Sequence, residues 1–368
     1  MSTLQISLAV AGGLVLAAVV AHSAWSARRN LPRQPLPESQ AADSPREAVE
    51  AADAVDSVGD RDHDSPDQRK EPSFEPDSEL GALASLMAPE KKPGLDALID
   101  VIAPVAMDAL VSGEAAQAAM PTTRRVGSKP FAVEGLGVLS GQWETPAAGQ
   151  RYSAFQCGVQ LANRVGALNQ IEYSEFVMKT QAFSDAIGGE PEFPEMTDEV
   201  ARARELDQFA SAHDAQLSFT IRAQRTAWSP GYVQQTAARL GFVAGSMPGR
   251  MVLPAGQLDG GTSGSPILGL AFDPQAAMAE DPEQTALREV SLSLDVPQVG
   301  RSEQPFLRMR EAAGALAASM DGVVMDDNGQ PIPDAAMDVI SGDLEQLYNT
   351  LDSRDLSAGS ALAKRLFS

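Results

Sequence analysis

The stretch Arg288-Glu-Val-Ser-Leu-Ser-Leu-Asp-Val296 decides how this chain folds. Val290, Leu292, Leu294 and Val296 alternate with Ser291, Ser293 and Asp295, a period of two that predicts a strand with one buried and one solvated face. Strands of that kind pair antiparallel, because parallel strands are covered on both sides and read as unbroken apolar runs. Downstream, the sequence predicts a helix from about Phe306 to Met320, a strand at Gly322 to Met325, a turn at Asp327-Asn328-Gly329 and a last helix from Asp334 to about Leu351.

Upstream, Ala215 to Ile221 alternates as a strand, and Ser229-Pro-Gly-Tyr starts a helix with an N-cap serine and a proline in the first turn, which Gly241 stops. Phe242 to Leu253 and Ile267 to Phe272 read as strands around a Gly-rich loop. A similar series precedes them. Leu95 to Val105 is strand-like, Ser112 to Met120 is a short helix closed by Pro121, and Lys129 to Leu136 is a strand. Tyr152 to Leu161 alternates cleanly, with Phe155, Cys157, Val159 and Leu161 on one face, and helices follow at Glu172 to Ile187 and Thr197 to Ala212. The two series line up as an internal repeat: Phe176 and Phe306 open corresponding helices 130 positions apart, and Pro194-Glu-Met-Thr-Asp-Glu-Val200 stands where Pro333-Asp-Ala-Ala-Met-Asp-Val339 stands later.

Before the folded part, Leu4 to Trp25 carries no charged residue. It has the length a helix needs to cross a bilayer core of about 30 Å, and Met-Ser-Thr-Leu-Gln lacks the basic start of a cleaved signal peptide. Arg28, Arg29 and Arg33 follow the apolar run, so the positive-inside rule puts the body of the chain in the cytoplasm and the N-terminus outside. From Asn30 to about Lys92 prolines are spread among Ala, Asp, Glu and Ser, with too little apolar surface to offset the entropy of ordering. The expected organisation is a transmembrane anchor at 1–29, an acidic Pro-rich disordered linker at 30–93 that holds the folded part away from the membrane, α/β units at 94–212 and 213–356, and a C-terminal tail at 357–368.

With 50 acidic residues against 28 basic ones, the net charge is −22, which excludes nucleic acid as a partner because phosphate binding needs clustered Lys and Arg. The lone Cys157 sits in an apolar strand and forms no intramolecular disulfide. Gly261-Thr-Ser-Gly-Ser-Pro266 has the look of a serine-protease nucleophile motif, with His213 upstream of Ser263. The intervening chain is too short for such a fold and contains a helix, so a Gly/Ser hairpin loop is the better account. His22, His63 and His213 are far apart, Asp326-Asp-Asn-Gly329 lacks the later ligands of a calcium loop, and no phosphate-binding loop precedes a Lys-Ser/Thr pair. No catalytic residue, metal, cofactor or small-molecule substrate is expected.

Leu292-Ser-Leu-Asp-Val-Pro297 and Met320-Asp-Gly-Val-Val-Met-Asp-Asp327, followed by a helix led by Pro333, resemble signatures of the ZipA family of bacterial cell-division proteins. Gly241-Phe-Val-Ala-Gly-Ser-Met247 and Pro266-Ile-Leu-Gly-Leu-Ala271 fall in the same order, so the resemblance covers about Ala215 to Leu351, and the unit at 94–212 resembles the family as a degenerate repeat. It implies an α+β fold, a split β-α-β antiparallel sheet with helices on one face and on the other a shallow groove for the C-terminal tail of FtsZ. Carried over by position, the groove involves Met247, Leu268, Leu270 and Phe272, flanked by Ser218, Thr220 and Ser293. Ser218 and Ser293 replace larger apolar side chains of the family pattern and make the face more polar. The expectation is a non-enzymatic adaptor, single-pass in the bacterial inner membrane at the septum, that tethers FtsZ filaments there. The alternative is a structural divisome protein whose α/β units bind another partner.

Overall fold

The computed structural model describes residues 33–34, 94–255, 266–281 and 284–368. The apolar run Leu4 to Trp25 and nearly all of the stretch read as linker lie outside them. Among the described residues, no helix is long and apolar enough to cross a membrane.

The first half runs through β1 (Asp100–Met107), β2 (Val111–Ser112), α1 (Gly113–Ala119), β3 (Arg125–Val126), β4 (Lys129–Gly137), β5 (Trp143–Glu144) and β6 (Arg151–Gln160). A small hairpin of β7 (Ala162–Asn163) and β8 (Gly166–Ala167) leads into α2 (Gln170–Ile187), β9 (Gly189–Pro191) and α3 (Met196–His213). The strand expected from Leu95 begins only at Asp100. Asp96 captures the amides that follow it instead, its Oδ1 accepting Leu98 N–H at 2.8 Å and its carbonyl accepting Asp100 N–H at 2.8 Å.

The second half contains β10 (Gln216–Ala223), α4 (Pro230–Arg239), β11 (Val243–Ala244), β12 (Arg250–Leu253), β13 (Leu268–Ala271), α5 (Pro274–Ala277), β14 (Glu289–Asp295), α6 (Pro305–Met320), β15 (Gly322–Met325) and α7 (Asp334–Asp352). The single strand expected over Phe242 to Leu253 is a hairpin. Gly245 N–H donates to Arg250 O at 2.9 Å, and the turn contains Pro248, which has no N–H for a ladder. The residues expected as a tail form α8 (Ala361–Leu366).

Each half has its own antiparallel sheet. Their orders are β3-β4-β6-β1-β9, with β2 on β6 and β5 on β4, and β11-β12-β13-β14-β10-β15. In the second, β14, α6 and β15 form a split β-α-β unit, with β10 inserted antiparallel between the two strands. In the first, β6, α2 and β9 hold β1 in the same way. The helices lie on one face of each sheet because the alternation leaves only one face apolar. Val290, Leu292 and Leu294 are buried with Phe219 and Ile221 against Phe306, Met309 and Leu316 of α6. The first core gathers Val101, Phe131, Phe155 and Val159 under Phe176 and Phe183 of α2. Phe176 stands 6.2 Å from Phe131, and Phe306 stands 6.3 Å from Phe219, ring centre to ring centre.

A third cluster joins the halves. Ile99, Ala162 and Ala210 of the first pack with Leu351, Leu356, Ala363, Leu366 and Phe367. Around it, Arg164 takes Asp214 through Nε at 2.8 Å and Nη2 at 2.7 Å and also reaches Asp295 at 2.7 Å. Arg365 pairs at 2.5 Å with Asp100, whose side chain is 0% exposed. Gln160 and Gln298 donate to the Arg365 and Phe367 carbonyls at 2.9 and 2.7 Å, satisfying the end of α8 from both sides.

The outer faces of the two sheets differ. On the first, Leu95 lies across Gly158, where a Cβ would meet Leu95 Cδ2 at 2.3 Å, and Leu95 N–H donates to Glu134 Oε1 at 3.0 Å. The segment that enters the fold therefore covers part of that face.

Candidate partner-binding face

Alternation along β10, β13 and β14 sends large apolar side chains to the helices and small ones outward. Register aligns the small ones in rows across the sheet. One row runs Val243, Val252, Gly269, Ser293 and Ser218, and the next runs Arg250, Ala271, Ser291, Thr220 and Met325. Gly, Ser, Ala and Thr thus floor the middle strands, with Val252 on one side and Met325 on the other. Those two walls are four strand spacings apart, about 19 Å at the usual interstrand distance. The result is a shallow trough wide enough for a helix of about 10–12 Å or for an extended peptide.

The polar floor is internally satisfied. Ser218 and Ser291 share a hydrogen bond between their hydroxyls at 3.0 Å, and Ser293 Oγ donates to Gly269 O at 3.3 Å. A Cβ at Gly269 would come within 2.8 Å of Ser293 Oγ, so the glycine is what lets that serine lie flat. Arg222 pairs with its cross-strand partner Glu289 at 2.7 Å. At one end the trough opens into a groove of about 310 Å³ lined by Val252, Pro266, Gly269, Ser293, Asp295 and Gln298, among others. Asp295 and Gln298 are the residues already tied to Arg164 and α8, so the groove abuts the junction between the halves.

Ser218, Thr220 and Ser293 lie on this face. Leu268, Leu270 and Phe272 point to the other side of the sheet. They are 1%, 1% and 6% exposed and pack in the helix-side core, and Leu268 also lines the groove at the end of the trough. The cause is the pleat: Leu270 opposes Leu292 and Met251, so it must share their inward face. Met247 is 54% exposed in the turn between β11 and β12, beyond the far edge of the trough from Ser218 and Thr220. The apolar residues on the face are Val243, Val252, Val323 and Met325. Their signal in the sequence was register relative to Ser218 and Thr220, and this needs the strand pairing to be known.

His213, weighed as half of a catalytic pair, ends α3, with its Nδ1 2.7 Å from Phe209 O and its ring centre 4.3 Å from that of Phe209. Ser263 lies outside the described residues. Among the described residues, no three His, Cys, Asp or Glu side chains gather as a metal site.

A search of curated proteins finds no match to the chain. Residues 273–342, which span α5, β14, α6, β15 and the start of α7, match the family model described as ZipA, C-terminal FtsZ-binding domain. Over that segment, which includes the strand Glu289–Asp295 and the split β-α-β unit built on it, the match supports the ZipA family.

Proposed function

We propose that the chain binds the C-terminal tail of FtsZ on the trough floored by Ser218, Thr220, Gly269 and Ser293, and that Leu4 to Trp25 anchors it in the bacterial inner membrane, so that FtsZ filaments are tethered at the septum. The observation that carries the reading is the match of residues 273–342 to an FtsZ-binding family, on the sheet whose outer face is, among the described residues, a trough not covered by helices. A peptide laid on such a face is held by a few apolar anchors while polar rim groups set its register. On this reading Val252 and Met325 serve as anchors, and the serine floor supplies hydroxyls in place of the family's larger side chains. The reduced apolar area makes for a weaker grip than an all-apolar groove would give.

The two halves are read as a tandem duplication. Supporting this are the equivalent insertion of β1 and β10 into split β-α-β units and the equivalent placement of Phe176 and Phe306. Since Leu95 covers part of the first outer face, the tail is assigned to the second.

The test is a titration of a fluorescent FtsZ tail peptide with the full chain in detergent, for wild type and for Ser293→Arg. Ser293 is exposed, so the variant folds normally, and filling the trough weakens binding at least about tenfold. No saturable binding by the wild type, or equal binding by both proteins, refutes the assignment. Flotation with vesicles tests the anchor separately.

A further inference from the structure

The chain touches its second half well before Gly94. Arg33 N–H donates to Ala227 O at 2.8 Å, and Ser229 N–H donates to Arg33 O at 2.9 Å, making a parallel bridge beside Trp228. On its other side Trp228 exchanges two backbone bonds of 2.8 Å with Leu287. The Arg33 guanidinium reaches Asp321 at 3.4 Å, and the same carboxylate takes both arms of Arg225 at 3.0 and 3.1 Å. Trp228 is 0% exposed, and its Nε1 donates to Met320 O at 2.7 Å, so the edge offered to Arg33 is fixed by the core.

We propose that the Ala227–Ser229 edge, with Asp321 beside it, is a docking slot for a short extended basic segment, and that its occupant is this chain's own Arg33-Gln34, which straps residues 33–34 to the second half. The recognition is by chemistry the slot displays: one residue is read by two backbone bonds, and one guanidinium by a carboxylate. Residues 35–93 then have both ends held, Arg33 in the slot and Gly94 by its carbonyl, which accepts from Arg365 Nη1 at 3.0 Å. Loop-closure entropy opposes the contact, so the strap is releasable. A fully extended chain of the length between Arg33 and Gly94 would reach at most roughly 200 Å, so release of Arg33 changes how far the trough can stand from residue 33. Neither the slot nor this reach rests on the anchor reading.

Residue-resolved hydrogen exchange on the full chain in detergent tests it. In the wild type the Ser229 amide is protected. Arg33→Pro removes the donor N–H and the guanidinium and speeds exchange at Ser229 at least about tenfold, while the mutually paired Trp228 and Leu287 amides stay protected. Equal Ser229 exchange in both proteins, or an unprotected Ser229 in the wild type, overturns the strap. Should the proline variant also expose Trp228 and Leu287, Arg33→Glu decides: it keeps the N–H but sets a carboxylate against Asp321, and unchanged Ser229 exchange there overturns the proposal. Vesicle flotation of the same samples reads the anchor alone, so a chain that fails to float yet keeps Ser229 protected refutes the membrane reading and retains the strap.

Discussion

Replacing Arg365 by Met strands the carboxylate of Asp100 inside the junction between the two halves. Its donors are Arg365 Nη2 at 2.5 Å and Asp96 N–H at 2.9 Å, and its side chain is 0% exposed. Burial pushes the Asp100 carboxyl above its ordinary value, and the charge of Arg365 is the largest effect pulling it back. Methionine keeps the aliphatic stem, so the substitution removes charge and donors with little loss of packing. The variant can keep an unpaired buried anion, at a cost of about 3–5 kcal/mol, or take up a proton. Proton uptake sets a ceiling of about 1.4 kcal/mol for each pH unit above an unfolded value near 3.9, which gives about 4 kcal/mol at pH 7 and about 1.5 kcal/mol at pH 5. The folded state holds this proton more tightly than the unfolded state does. Stability is therefore lost as pH rises from the unfolded value through the folded one, and the variant's deficit shrinks on acidification. Urea titrations between about pH 5 and pH 8, followed by far-UV ellipticity and by reaction of the Cys157 thiol, measure it. A deficit equal at pH 5 and pH 7, or below about 0.5 kcal/mol at pH 7, refutes the reasoning.

Phe272→Glu buries a charge in the helix-side core and costs more than about 5 kcal/mol, so it melts the second half, seen as a shift in Trp228 fluorescence, before any change in tail binding is read. Intact Trp228 emission in that variant puts Phe272 outside the core. Burial pushes the Cys157 thiol up to about 12, so the native chain resists alkylation at about pH 8 and reacts once urea opens β6; rapid labelling without urea counts against the sheet as described. Arg164→Met leaves Asp214 and Asp295 as facing carboxylates and destabilises by about 1 kcal/mol at low salt, less at high salt. A salt-independent effect measured by urea titration contradicts a role through charge.

The strands and helices of both halves were legible wherever local chemistry decides them. Ser229 accepts from Tyr232 N–H at 3.2 Å as the N-cap of α4, and the alternation of Val290, Leu292 and Leu294 reappears as three side chains no more than 1% exposed. What failed was what only pairing defines. The sequence shows that Leu268 and Leu270 share a face but not which one, because a one-residue change of register moves a whole set to the other side. The hairpin at Phe242 to Leu253 was hidden by apolar residues on both sides of Pro248. Arg33 was counted with the acidic stretch because nothing local tells a segment that docks from one that does not.

The cluster built on Leu366 and Phe367 also sets an order in time. Ile99, Ala162 and Ala210 are all synthesised before residue 214, yet the residues that cover them come only at Leu351 to Phe367. At about 5–20 residues per second, the ribosome takes roughly 8–30 s to make the stretch between. Through that interval the nascent first half carries an unsealed apolar seam open to chaperones, and translation must pass Phe367 before the two halves can close on each other.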